Sequence, residues 1–245
     1  MMNKNFIIPQ WSAPINIKAI QTTRNGGTSL DRYSSLNLSN KVGDNQKHVE
    51  DNLKKILNFL PSQPIWLNQV HSNIVQKLPT KNNLDCDASF TYEKQIICAV
   101  RTADCLPILL TNKKGDFVAS IHAGWKSLGG NIIENTIKEI KSSSQLIAWL
   151  GPCISQVSFE VNQDVYDYFI SNDKKSSSAF LSIKNNKYLL SLSQVAINKL
   201  NKLGIYEITG MDITDEYCTY KQKNNFYSYR RDNLTGRMAT LIWIE

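Results

Sequence analysis

Apolar residues recur at every second position in some segments of this chain and at every third or fourth in others, and the two periods alternate. NIKAIQTTRNGG, residues 16–27, carries the strand period and ends in a glycine pair. NQKHVEDNLKKILNFL then places its apolar residues at helical spacing until Pro61 stops it. Strands dominate the next stretch. PIWLNQVHSNIVQKL predicts a strand pair, QIICAVRTADCLPILL a strand, a turn and a strand, and GDFVASIHAGW another strand, all rich in Ile, Val and Leu.

SLGGNIIENTIKEIKSS predicts an amphipathic helix with Ile132, Ile133, Ile137 and Ile140 on one side. SQLIAWLGPCI is again strand-like and is closed by Gly-Pro, and NQDVYDYFISN predicts a helix with Asn162 as its cap. A further helix, LSLSQVAINKLNKLG, ends at Gly204; YEITGMDIT is a strand, and NLTGRMATLIWIE a closing strand. No repeat or linker divides the chain, and the Ser-rich stretches at 142–144 and 176–178 are short enough to be loops. One domain over residues 1–245 is expected, of mixed α/β class, with helices covering sheets of mixed direction.

Composition narrows the picture. A hydrophobic share of 42% and a charged share of 20% are ordinary for a globular chain, and no apolar run approaches the ~18 residues needed to span a bilayer. The first residues, MMNKNFIIPQWSAPINIKAI, are broken by Pro9, Gln10 and Pro14 and lack the core of a signal peptide, so a cytoplasmic location and no membrane partner are expected. The five cysteines form no CxxC pair and are odd in number, which fits a reducing compartment. Net charge is +7, but its lysines are scattered through stretches such as KNNLD, SNDKKSSSAF and IKNNKY. That distribution points to compositional drift rather than a nucleic-acid footprint, and an anionic small-molecule substrate is compatible with it.

The candidate chemistry lies in three strand-like segments: His71 in NQVHS, Cys105 in TADCLPILL and His122 in ASIHAGWKS. Two imidazoles and a thiolate suit Zn²⁺ and, less selectively, copper; three protein ligands leave the open position of a catalytic zinc site. The three residues are 34 and 17 apart, so only folding can bring them together. His48, among Lys47 and Glu50, belongs to a polar helix face. Asp104 precedes the thiol and shares its site only if the chain turns there, which Pro107 favours. Trp125 can stack on a planar base or fill the core. Arg24 with Gly26 and Gly27 reads either as an anion-binding nest or as a hairpin turn with a solvated arginine. Arg230, Arg231 and Arg237 crowd with Tyr229 and Asp232 into YSYRRDNLTGR, where guanidinium forks can take phosphate or carboxylate.

Taken together, TTRNGGTS, SLNLSNKVGD, NQVHS, TADCLPILL, IHAGW, GPCI and YSYRRDNLTGR resemble, in their order, the laccase-domain or multicopper polyphenol oxidase-like (YfiH) family, now regarded as purine nucleoside phosphorylases. The resemblance runs from about Arg24 onward. It implies that His71, Cys105 and His122 are catalytic metal ligands and that the fold is a layered α/β/β/α arrangement. It also implies phosphorolysis of adenosine, inosine, guanosine and methylthioadenosine, with deamination of adenosine. A carboxylate, Asp104 or Asp87, would move the proton in deamination, and Arg24 with Gly26 and Gly27, Arg230 or Arg231 would hold phosphate.

Other readings remain open at this point. Cys105 with His122 as its base would make a metal-independent thiol hydrolase or deamidase, acting for example on peptidoglycan precursors. A module that binds nucleotide or cell-wall fragments without turnover is another alternative. Multicopper oxidation needs many more histidines than the three present.

Overall fold

Met238–Ile244 shows how the layers are built. Met238, Ile242 and Ile244 enter one apolar cluster with Ile17, Cys98 and Trp149, whereas Ala239, Leu241 and Trp243 enter another with Ile20, Ala99 and Ile56. A strand buried on both faces makes this division through its period of two.

The structure, a computed structural model, describes residues 5–81, 84–210 and 215–245. In chain order the strands are β1 (Phe6–Ile7), β2 (Ile17–Thr22), β3 (Ile65–Trp66), β4 (Val75–Lys77), β5 (Ala88–Thr91), β6 (Cys98–Thr102), β7 (Leu106–Asn112), β8 (Val118–Ala123), β9 (Leu146–Leu150), β10 (Glu160–Asn162), β11 (Phe180–Ile183), β12 (Lys187–Leu190), β13 (Glu207–Gly210) and β14 (Met238–Ile244). The α-helices are α1 (Gln46–Leu57), α2 (Trp125–Gly129), α3 (Ile132–Glu139), α4 (Gln163–Asn172), α5 (Leu192–Lys202) and α6 (Tyr229–Asp232). Among the described residues, no helix is long and apolar enough to cross a membrane.

A five-stranded sheet runs β1-β2-β14-β6-β3 and a six-stranded sheet β13-β9-β7-β8-β5-β4, both with parallel and antiparallel pairs. Cys98 and Met238 from the first meet Leu109, Val118 and Trp149 from the second in a shared core. On the outer side of the six-stranded sheet, Leu128 of α2, Ile133 of α3, Phe169 of α4 and Leu200 of α5 pack against Ile108 and Ile121. Ile56 of α1 packs on the outer side of the other sheet. The fold is mixed α/β, with its layers in the order the resemblance implies.

Several local expectations differ from what folds. The segments expected as a strand pair around His71 do become β3 and β4, but they join different sheets. So do β6 and β7, on either side of Ala103–Cys105. Both connections therefore carry the chain from one sheet to the other. Asn162 occupies the N-cap position of α4, yet its side chain accepts no capping hydrogen bond. Helix α1 ends at Leu57, ahead of Pro61, and is capped by Asn45, whose side chain accepts from Lys47 N.

A third sheet, β10-β12-β11, falls where the sequence predicts no strand. Its strands are short and only half-buried, and the hairpin turns at Asn185 and Asn186, both with positive φ (63° and 55°), a pairing that favours asparagine. Of YEITGMDIT, Glu207–Gly210 forms β13, and residues 211–214 lie outside the described residues.

Candidate metal centre

The buried carboxylate of Asp87, one residue before β5, organises the site. Its Oδ1 takes the His122 ring at Nδ1, 2.7 Å away, and accepts the backbone N–H of His71 at 3.1 Å. Its Oδ2 accepts from Val70 N at 3.2 Å and from Ser72 N and Oγ at 2.6 and 2.8 Å. Three successive amides thus curl around one anion, a nest that holds His71 in the left-handed region at φ 59°. His71 sits in this loop rather than in a strand, while His122 stands within β8, opposite Pro107 of β7. Cys105 immediately precedes β7.

His71 Nε2 and Cys105 Sγ are 3.8 Å apart, and the ligand atoms of His71, Cys105 and His122 all lie within 4.8 Å of one another. Tetrahedral zinc, with Zn–N of about 2.0 Å and Zn–S of about 2.3 Å, spaces its ligand atoms by roughly 3.4–3.6 Å. A small inward movement completes the set. With Nδ1 of His122 engaged by Asp87, Nε2 is left as the donor atom, the arrangement in which a carboxylate orients a metal-binding histidine. A Cβ on Gly124 would stand 2.9 Å from the His71 ring and 3.1 Å from Cys105 Sγ, so glycine at that point keeps the cluster close. The residues fit a borderline-soft divalent ion.

The electrostatics agree. Burial alone would raise the Cys105 thiol, but the His122 charge and hydrogen bonds from His122 and His71 bring it down to about 6. Burial likewise opposes charge on His122, and the Cys105 thiolate and Asp87 outweigh it, raising the imidazole to about 9. Burial would also raise Asp87, yet His122 and Ser72 hold its carboxyl below the ordinary range. The cluster opens on a cavity of about 430 Å³ whose other walls include Lys41, Gln69, Arg101, Tyr229 and Arg237. His71 also borders a second cavity, of about 510 Å³, with Trp125, Asp164 and Tyr168.

The sequence profile of the multi-copper polyphenol oxidoreductase laccase family matches residues 18–245. This chain belongs to that family. Its relatives in the family include a purine nucleoside phosphorylase of Haemophilus influenzae, 44% identical over 98% of this chain and 99% of the relative. Another is the Escherichia coli purine nucleoside phosphorylase YfiH, 42% identical over 97% of this chain and 98% of the relative. A crystal structure of a Neisseria meningitidis protein superposes with a TM-score of 0.91 at 40% identity, covering 98% of this chain and 99% of that one. The hypothetical protein YfiH of Bacillus licheniformis gives 0.85 at 28% identity, over 94% and 93%.

Within this member of the family, the other residues singled out from sequence are dispersed. Asp104 has φ 89° and turns away from the cluster: Oδ1 accepts from Thr219 Oγ1 and Oδ2 from Arg230 N, each at 2.6 Å. Arg230 also donates to Glu160 O at 2.9 Å and lies over the Phe159 ring. Arg24 donates to Ser34 O and Lys223 O and stacks over Tyr227. Arg231 is held by the carbonyls of Thr219, Tyr220 and Phe226 and by Asp232. Arg24 and Arg231 share a cleft of about 960 Å³ that has no lining residue in common with the cluster's cavity. Gly26 has φ 91°, and Gly27 lets the backbone of Ser35 approach so closely that a Cβ would meet its carbonyl oxygen at 2.0 Å. Gly27 therefore serves a close backbone crossing, and Gly26 a left-handed turn packed against the Asn5 side chain. Trp125 meets Tyr168 edge-to-face in the second cavity.

Sequence reasoning passed over Gln69 and Arg101 altogether. Gln69 exchanges two hydrogen bonds with the Arg101 backbone, each 2.7 Å, and so ties the His71 loop to β6. Nothing in the local composition marks either residue, because both act through pairing between distant segments.

Proposed function

We propose that the protein is a zinc-dependent phosphorylase of purine nucleosides, acting on adenosine, inosine, guanosine and methylthioadenosine, with adenosine deamination as a second reaction of the same cavity. The observation that carries this reading is the opening of the His71–Cys105–His122 cluster on a cavity of about 430 Å³, within the roughly 300–1,000 Å³ of small-molecule sites. The names of the relatives support the substrate class.

In phosphorolysis an oxygen of phosphate bonds to C1′ of the ribose as the C1′–N9 bond breaks. The bonding pair leaves with the purine, which takes up a proton, and ribose 1-phosphate is the other product. His71, Cys105 and His122 would hold a zinc ion, which would supply Lewis acidity for the charge that develops. Asp87 keeps His122 in one ring orientation and tautomer. Leu67, Ala103 and the Tyr229 ring offer the base and sugar apolar walls.

Zinc-replete protein incubated with inosine and phosphate should release hypoxanthine and ribose 1-phosphate, and with adenosine should also form inosine and ammonia. Absence of every one of these products refutes the reading. The Cys105 thiol lying between two imidazoles favours one alternative, a thiol hydrolase acting on an amide such as a peptidoglycan precursor. Chelation and His71→Ala abolish the metal-dependent activity and spare that alternative.

A further inference from the structure

Arg101 and Arg237 reach the same wall of the cluster's cavity through sheet register. Strands β6 and β14 are antiparallel, with Arg101 opposite Ala239 and Thr102 opposite Met238. Directly opposed side chains share a face, and so does the diagonal neighbour two residues along. Arg237, two residues before Ala239, falls on the face of Arg101. The segment ahead of α1 locks both: Asn37 Oδ1 accepts Arg237 N at 2.9 Å, Arg237 O accepts Leu38 N at 3.2 Å, and Leu38 O accepts Arg101 Nη1 at 3.3 Å.

Neither guanidinium is paired with a carboxylate among the described residues. Their protein acceptors are backbone carbonyls, and each is taken by Nη1: Leu38 O for Arg101, Thr235 O and Gly236 O for Arg237. Nε and Nη2 of both are left with no protein acceptor among those residues. Aromatic rings back the pair, Trp66 at 4.6 Å from Arg101 and Tyr229 at 5.8 Å from Arg237. Burial depresses the basicity of both, and the neighbouring Arg237 charge adds to the effect on Arg101, which falls to about 10. At Arg237 the Cys105 and Asp104 charges oppose the effect of burial. Both side chains stay cationic at neutral pH, and two cations without an ion-paired carboxylate on one half-buried wall favour a dianion between them.

We propose that Arg101 and Arg237 form a clamp for inorganic phosphate at the wall of the His71–Cys105–His122 cavity. The assignment rests on the phosphorolytic reading and takes the place of Arg24, Arg230 and Arg231, whose guanidinium groups are engaged elsewhere. Bound there, phosphate stands in the same cavity as the metal ligands, where its oxygens meet the sugar of a bound nucleoside.

Equilibrium dialysis of the metal-loaded protein against radiolabelled inorganic phosphate tests the clamp. One saturable site per chain is expected, weakened at least ten-fold in Arg101→Met and in Arg237→Met at unchanged metal content. Should Arg101→Met fail to fold for want of its Trp66 contact, Arg237→Met with Arg237→Lys carries the test; the lysine keeps the charge without the fork and should bind between wild type and Arg237→Met. No saturable binding by wild type overturns the clamp, as does binding within two-fold of wild type in the folded variants, which would place phosphate on the metal alone. Phosphate bound by wild type and lost in the variants, without cleavage of any nucleoside, upholds the clamp and removes the phosphorylase reading. Nucleoside cleavage with an unchanged KM for phosphate in the variants does the reverse.

Discussion

At the scale of single residues, Cys105 and the buried cysteines differ in what surrounds their sulfur. Cys98 is pushed up to about 12 by burial. Burial also pushes Cys86 up to about 12, with help from the Asp87 and Asp85 charges. Cys105 is also disfavoured by burial, but the charge and hydrogen bonds of its imidazoles win, and it falls to about 6. In the metal-free protein the thiolate therefore appears as pH rises through about 6, and the His122 imidazolium persists until about 9. The signs are opposite for the two partners: stability from the lowered thiol is lost as pH falls through about 6, and stability from the raised imidazole is lost as pH rises through about 9. Iodoacetamide labelling of the metal-free protein, mapped by mass spectrometry, should show Cys105 reacting with a midpoint near pH 6. A midpoint near 9 would contradict the site's electrostatics. The three candidate ligands were legible in sequence because their chemistry is carried by residue type, and the structure brings them together. Asp87 was visible only as one of two carboxylates, since its selection depends on the amides that fold around it.

Helix α1 shows what an element's pattern conceals. Its apolar spacing could be read directly, but its Asn45 cap was not read from the sequence, and its buried face also carries Asn52. That side chain accepts from Thr28 N at 2.7 Å and donates to Ser29 Oγ, Ser35 O and Asn37 O at 2.9–3.1 Å. A polar residue on a core face satisfies a loop that would otherwise bury unpaired backbone groups. Asn52→Ala should destabilise the protein by about 2–4 kcal/mol, because several partners lose their hydrogen bond at once. Urea unfolding measures this, and a loss below about 1 kcal/mol would show that the loop finds other partners. The same loop orders Asn37 and Leu38, so the variant should also loosen Arg237. The Asn185–Asn186 hairpin is the converse case, where a turn signal was present in the sequence and a polar strand hid it.

For the molecule as a whole, strand identity was readable and sheet membership was not. Alternation marks β6 and β7 as strands, yet nothing local says that three residues between them step from one sheet to the other. The segment containing His71 makes a similar passage between β3 and β4. An ion at the cluster would therefore tie together two passages and β8, which only folding brings together. Zinc at 100 times its dissociation constant should add about 2.7 kcal/mol to stability, which for a chain of this length is a rise in Tm of roughly 5–10 °C. Thermal melts with zinc and with a chelator would measure it, and coincident curves would rule out a site at these three residues.

The position of β14 between β2 and β6 has a consequence for the protein as it is being made. All three candidate ligands have left the ribosome once His122 has emerged, but the five-stranded sheet that flanks two of them lacks an inner strand until Met238–Ile244 follows. Arg237 arrives with that strand. The passages that carry His71 and Cys105 thus lack a supporting strand until the last stretch is made, and an ion taken up at the three candidate ligands would mark a completed chain.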